Sequence, residues 1–310
     1  MDYKELFQGL SRNSIRLRFD GESSEPVPVG TSKFGGQPDL PEGFEWPYFK
    51  GAVIVEYKQV KTAKSFFSKG GDRLEEVKSD PKDIPLSFLL QVNCEEIAEY
   101  DKEHLLPGRG MLYFFYELRT MRWGFDPKDK GCARVYYFDT KGLARQPFPT
   151  GLEPDCQLPE MPVVFAAENS LPNWEEFAEN NDADEYDSEE YYEERELNGY
   201  PDDSDDAESD TSKLLGYADI IQSDMHLECE MSANGIYNGA AYAFRDLSEE
   251  QREELNEKSK QWRLLLQLGT IQKEGFELMF GDCGRIYFWI REGDLARRDF
   301  DGCWLILQCY

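Results

Sequence analysis

The residues of this 310-residue chain best suited to nucleophilic, acid–base or metal chemistry are two histidines, His104 and His226, and seven cysteines. Neither histidine stands in a nucleophile or metal-ligand pattern. His226 and Cys229 are one helical turn apart, which would set two zinc ligands on one face. A closed zinc site takes four ligands and no second pair follows, so a surface histidine and a buried thiol are expected there, and no metal. Gly108-Arg109-Gly110 lacks the third glycine of a dinucleotide turn and precedes a strand pattern instead of a helix. No G-x-x-x-x-G-K-[ST], G-x-S-x-G or H-E-x-x-H segment occurs. The residues therefore supply no catalytic set, no metal site and no cofactor site, and a protein that is not an enzyme is the leading expectation.

Three features keep a functional reading beside a structural one. Lys33, Gly35 and Gly36 precede Trp46-Pro47, so that a backbone freed by glycine approaches another surface while an aromatic ring lines a cleft; the alternative is a tight turn docked on a sheet. Gln91, Gln222, Gln267 and Gln308 each follow two aliphatic residues. A buried amide must find partners for two donors and an oxygen, so these side chains either bridge backbone at strand ends or face a shared polar cavity. Asp282, between Gly281 and Cys283, is the carboxylate best placed for chemistry, or else a turn residue. The candidate ligand-binding set is thus Lys33, Gly35, Gly36, Trp46, Gln91, Gln222, Gln267 and Asp282.

The elements that must position these residues come in two sets. Ser32 to Leu40 matches Ser212 to Ile220 as S-K-x-x-G-x-x-D-[LI], at an offset of 180. Leu89-Leu90-Gln91 matches Leu265-Leu266-Gln267 at 176, Gly110 to Phe115 matches Gly284 to Trp289 at 174, and Gly131 to Val135 matches Gly302 to Ile306 at 171. Collinear matches with slowly falling offsets predict one unit occurring twice. Leu86, Phe88, Leu90 and Val92 alternate with other residues, as do Trp262, Leu264, Leu266 and Leu268, which is the period of a strand. Aromatic strands follow at Met111 to Tyr116 and Ile286 to Ile290, with third strands at Ala133 to Phe138 and Trp304 to Gln308. Ile15, Leu17 and Phe19 give another near the start. Asn93 with Glu96 predicts a short capped helix, and Ser248 with Gln251 a longer one to about Lys260. The fold class that follows is α+β, mostly antiparallel sheet, with two similar halves around a pseudo-twofold.

Charge divides the chain differently. Sixty-two acids against 34 bases give a net charge of −28, of which −17 falls between Glu175 and Thr211, where Arg195 is the lone base. That segment reads as a mobile acidic insertion, either a docking tail for a basic partner or simply solvated chain. The divisions expected are 1–30, an N-terminal helix and strand; 31–170, the first half; 171–211, the insertion; and 212–310, the second half. So acidic a surface excludes nucleic acid. No apolar run approaches the ~20 residues of a membrane span, and the N-terminus lacks the pattern of a secretory signal, so a cytoplasmic protein is expected. Scattered, odd-numbered cysteines fit reduced thiols there.

Ser32 to Pro38 through Trp46-Pro47, Phe88-Leu89-Leu90-Gln91, Leu106-Pro107 to Phe115, Leu214 to Tyr217 with Ile221-Gln222, Trp262 to Gln267, and Gly281-Asp282-Cys283-Gly284 through Trp289 together resemble the YwqG-like family, a domain of unknown function. The likeness covers roughly Ser32 to Tyr310, with the acidic stretch as an elaboration. It implies an uncharacterised domain with an immunity or toxin-neutralising role. The expectation is a non-enzymatic protein that binds a protein partner, basic in character, through its acidic surface or the cleft between halves. The alternative is an enzyme with a carboxylate and amide pocket, built from Asp282 and the glutamines, between the halves.

Overall fold

The computed structural model describes residues 3–19, 26–52, 54–62, 71–180, 187–200, 211–239 and 242–310. Its main sheet is built from β1 (Arg12–Phe19), β2 (Lys33–Phe34), β3 (Ser87–Asn93), β4 (Met111–Tyr116), β5 (Ala133–Phe138), β6 (Met161–Ser170), β7 (Lys213–Leu215), β8 (Trp262–Leu268), β9 (Arg285–Arg291) and β10 (Trp304–Gln308). Their spatial order is β5-β4-β3-β2-β6-β1-β7-β8-β9-β10, and every pairing is antiparallel. The fold is α+β with a mostly antiparallel sheet.

The order reads outward from the centre as two matching runs. β1 and β6 pair from Arg12↔Ser170 to Phe19↔Val163. The free edge of β6 takes β2, through Phe34 and Lys33, and that of β1 takes β7, through Leu214 and Lys213. Further out, the β3–β4 and β8–β9 pairings carry a register shift at the same place, between Phe88 and Leu90 and between Leu264 and Leu266.

Aromatic side chains drive the packing. β4 and β9 are buried along nearly their whole length, so both faces of these strands are covered. The sheet curls until its two runs meet: Phe114 of β4 lies edge-to-face on Phe288 of β9, with ring centroids 5.4 Å apart. Trp304 of β10 donates its indole N–H to the carbonyl of Gly124, in the chain after β4. Such contacts between large rings add to the burial that stabilises the core.

The helices are α1 (Tyr3–Leu10), α2 (Cys94–Ile97), α3 (Trp174–Asn180), α4 (Ser188–Leu197), α5 (His226–Ala233), α6 (Tyr242–Arg245), α7 (Glu249–Ser259) and α8 (Glu292–Arg297). Ser248 and Gln251 cap α7 reciprocally, as their spacing predicts. At α2 the Asn93 side chain accepts from the N–H of Glu95, while Glu96 turns away to accept from the N–H of Ser32. The acidic segment is in part helical. Its described residues include α3 and α4, because Phe177 and Tyr191 bury themselves with Phe7 of α1 in a separate aromatic cluster. Residues 181–186 and 201–210 of that segment lie outside the described residues. No helix among the described residues is long and apolar enough to cross a membrane.

Candidate functional site

The two Ser-Lys motifs build two polar clusters with the same wiring. In the first, Gln91 of β3 accepts from the N–H of Asp39 (2.9 Å) and donates to the carbonyl of Thr31 (2.7 Å) and to the Asp39 carboxylate (2.8 Å). In the second, Gln267 of β8 accepts from the N–H of Asp219 (2.8 Å) and donates to Thr211 (2.6 Å) and the Asp219 carboxylate (2.7 Å). Tyr113 and Tyr287 donate their hydroxyls to the carbonyls of Asp39 and Asp219 respectively. Ser32 and Ser212 accept from the N–H groups of Asn93 and Gly269. Burial pushes both tyrosine hydroxyls up, away from ionisation.

The glycines act in parallel as well. Gly36 and Gly216 both take positive φ, +67° and +72°. A β-carbon on Gly36 would lie 2.7 Å from the Cβ of Glu160, and one on Gly216 would lie 2.7 Å from the Cβ of Ser14. Glu160 and Ser14 therefore hold corresponding places, one beside β2 and one beside β7.

That exchange of Glu for Ser makes the two clusters chemically different. Lys33, fully buried, donates to the carbonyl of Gln37 and to Glu160, both at 2.6 Å. Arg145 binds Asp39 at 2.9 Å, so two cations meet two carboxylates. Burial lowers the Lys33 ammonium, and Glu160 and Asp39 offset part of that. In the second cluster Lys213 turns onto Asp219 at 2.8 Å. Burial would raise the Asp219 carboxyl, but Lys213, Gln267 and Arg285 outweigh it and hold the group below the usual carboxylate range.

A cavity of about 340 Å3 opens beside this second cluster, at the seam where β1, β6 and β7 run together. Arg16, Glu168, Arg195, Lys213 and Asp219 are among its lining residues. Glu168 takes Arg16 through two bonds of 2.7 and 2.8 Å. Arg195, 5% exposed, donates to the carbonyl of Pro172 at 3.0 Å and lies over Tyr191 and Tyr192, but its Nε has no acceptor.

A second cavity, about 560 Å3, is lined in part by Arg12, Glu176, Tyr217, His226 and Trp262. His226 opens α5 with its Nδ1 2.6 Å from Asp224 and its ring against Trp289. Burial pulls the imidazole down, and Asp224 more than offsets this, so His226 titrates above its ordinary range. Nearby, burial pushes Glu228 up to about 7.

The predicted residues do not form one site. Lys33, Gly35, Gly36 and Gln91 share the first cluster and Gln267 belongs to the second. Gln222 reaches the carbonyl of Cys309, beside Gln308, which accepts from the N–H groups of Ile221 and Gln222. Trp46 packs edge-on to Phe115 and donates to the carbonyl of Leu86. Asp282 is exposed, and its carbonyl accepts from Tyr310. Sequence reasoning missed Arg16, Glu168 and the His226–Asp224 pair. Arg195 carried a signal, as the single base in an acidic run. Among the described residues no group of three or more His, Cys, Asp or Glu is placed to hold a metal ion.

The chain belongs to the family described as a domain of unknown function, DUF1963, whose model matches residues 32–309. β1 lies ahead of the matched residues although it sits at the centre of the sheet. No curated protein matches the chain.

Proposed function

We propose that this chain is a non-enzymatic binding protein of the cytoplasm, YwqG-like, built from two copies of one unit about a pseudo-twofold, and that it holds a basic protein partner. A toxin-neutralising or immunity role is the biological form this reading takes. The observation that carries it is the acidic ridge of α4. Tyr191 and Arg195 anchor one side of that helix in the aromatic cluster, and Glu189, Glu190, Glu193 and Glu196 are left exposed along it. A charged surface held by a docked helix is preorganised, so it steers a basic partner without paying to order a loose tail. The net charge of −28 adds long-range attraction of the same sign and argues against nucleic acid as the ligand.

The test is affinity capture with the full chain at low and then high salt. A partner released by salt, and lost when the four glutamates are changed to glutamine, supports the reading. Capture indifferent to both salt and the four substitutions refutes it.

One observation favours an enzyme as a second reading: His226, oriented by Asp224, lines the 560 Å3 cavity. Asp282 and the glutamines lend that reading no support, since the glutamines are engaged by backbone and Asp282 is exposed. A hydrolase or transferase activity abolished by His226→Gln with stability retained would establish it in place of the first.

A further inference from the structure

We propose that the seam cavity beside Lys213 binds a small free carboxylate, held by the Lys213 ammonium and the Arg195 guanidinium. The inference goes beyond the acidic docking ridge and does not depend on it.

In the first cluster the chain supplies a carboxylate of its own. Lys33 sits at the edge of β2 and its Nζ is 2.6 Å from Oε2 of Glu160, with Arg145 at 3.4 Å from the same oxygen. Lys213 occupies the matching place at the edge of β7. Register and the glycine contacts put Ser14 where Glu160 would be, and a serine side chain stops at its first oxygen. The Ser14 hydroxyl is buried and has no partner. No side chain of β1 therefore brings a carboxylate to Lys213, and the 340 Å3 cavity lies against that lysine.

Charge in the second cluster is left uneven in the corresponding way. Glu168 is taken by Arg16 and Asp219 by Lys213. Arg195, more than nine-tenths buried, has no carboxylate partner among the described residues, and its Nε lacks any acceptor. A buried guanidinium is costly without a counter-ion, and five N–H donors in a fork suit a carboxylate's two oxygens. Lys213 has three N–H donors and gives one to Asp219. One negative charge on two oxygens would satisfy both cations. A dianionic phosphate would add a second charge beside Asp219 and Glu168, which repel it. The cavity's volume sits at the lower end of the roughly 300–1,000 Å3 of small-ligand pockets, so the fitting molecule has few heavy atoms.

The experiment is calorimetric titration of the full chain, in chloride buffer, with the monoanions acetate and propionate as probes and inorganic phosphate as the comparison. Saturable binding of at least one carboxylate is expected, tighter than phosphate. Arg195→Gln and Lys213→Met should each weaken it about tenfold or more, since each removes a charge-assisted hydrogen bond. Ser14→Glu is the decisive variant. It restores a tethered carboxylate at the place Glu160 holds in the first cluster, so it should abolish binding while leaving the circular dichroism spectrum native. If Arg195→Gln does not fold, Lys213→Met and Ser14→Glu still decide the matter. No saturable heat with either carboxylate overturns the proposal. So does phosphate binding more tightly than both, or wild-type affinity in Lys213→Met together with native-like Ser14→Glu.

Discussion

Replacing Gln91 by leucine, and separately Gln267, tests the claim that the two clusters are the same device twice. Each side chain is fully buried and makes three hydrogen bonds of 2.6 to 2.9 Å, to an aspartate N–H, a threonine carbonyl and an aspartate carboxylate oxygen. Leucine has similar bulk and no polar atom. The substitution leaves three buried or half-buried polar groups without the amide, at about 1–3 kcal/mol each where burial is complete, offset in part by leucine's apolar burial. A loss of about 3–6 kcal/mol is expected at either site, a large part of the roughly 5–15 kcal/mol that separates folded from unfolded chains. Urea unfolding followed by tryptophan fluorescence reads this directly, with the m-value checking that the transition keeps its cooperativity. Because the bonds correspond one for one, the two losses should agree within about 1 kcal/mol. Losses below about 1 kcal/mol, or one site costing several times the other, would refute the reasoning.

The pair of His226 and Asp224 predicts a pH dependence of stability. His226 is raised above its ordinary value of 6.5, so its contribution is full below that pH and disappears as pH rises through the folded value. Asp224 is lowered from 3.8, so its contribution is full above that pH and disappears as pH falls through the folded value. Melting temperature should therefore decline above pH 6.5, and His226→Gln should flatten that decline. Gly216→Ala forces a β-carbon to 2.4 Å from the Ser170 hydroxyl at a φ of +72°, so a loss of about 1–3 kcal/mol or more is expected in urea unfolding. Tyr191→Ala removes the ring stacked at 4.6 Å on Phe177, at a cost of about 3–5 kcal/mol to the aromatic cluster. Hydrogen exchange should then accelerate in α3 and α4 while β3, β4, β8 and β9 stay protected.

The strands around Gln91 and Gln267 were legible because apolar alternation and the Ser-Lys spacing depend on near neighbours in sequence. The central pair was less so. β6, Met161–Ser170, alternates poorly, being half exposed along most of its length. In β1, Arg16 reads as an outward residue, yet it is 7% exposed because Glu168 pairs with it across the sheet. Helices α3 and α4 were hidden by their own charge: composition over 37 residues is acidic, while the aromatic residues that dock them are few and widely spaced. The seam cavity was beyond reach for a different reason. It brings Arg16, Glu168, Arg195 and Lys213 together from four segments, and nothing local in the chain joins them. His226 looked like an isolated surface residue because a histidine two places after an aspartate carries no motif; the turn into α5 brings the two side chains together.

β1 sits ahead of the first run in the chain and yet extends the second, since its outer edge belongs to β7. During synthesis this strand must wait about two hundred residues for β7, one of its neighbours. Long sequence separation slows folding, and an unpaired edge kept waiting invites wrong pairing. The architecture thus commits the protein to late joining of its two runs, since β1 gains its second neighbour only once β7 has been made. A rearranged chain carrying residues 3–19 after Tyr310 would hand the strand directly to the run it completes, and should mature faster in translation.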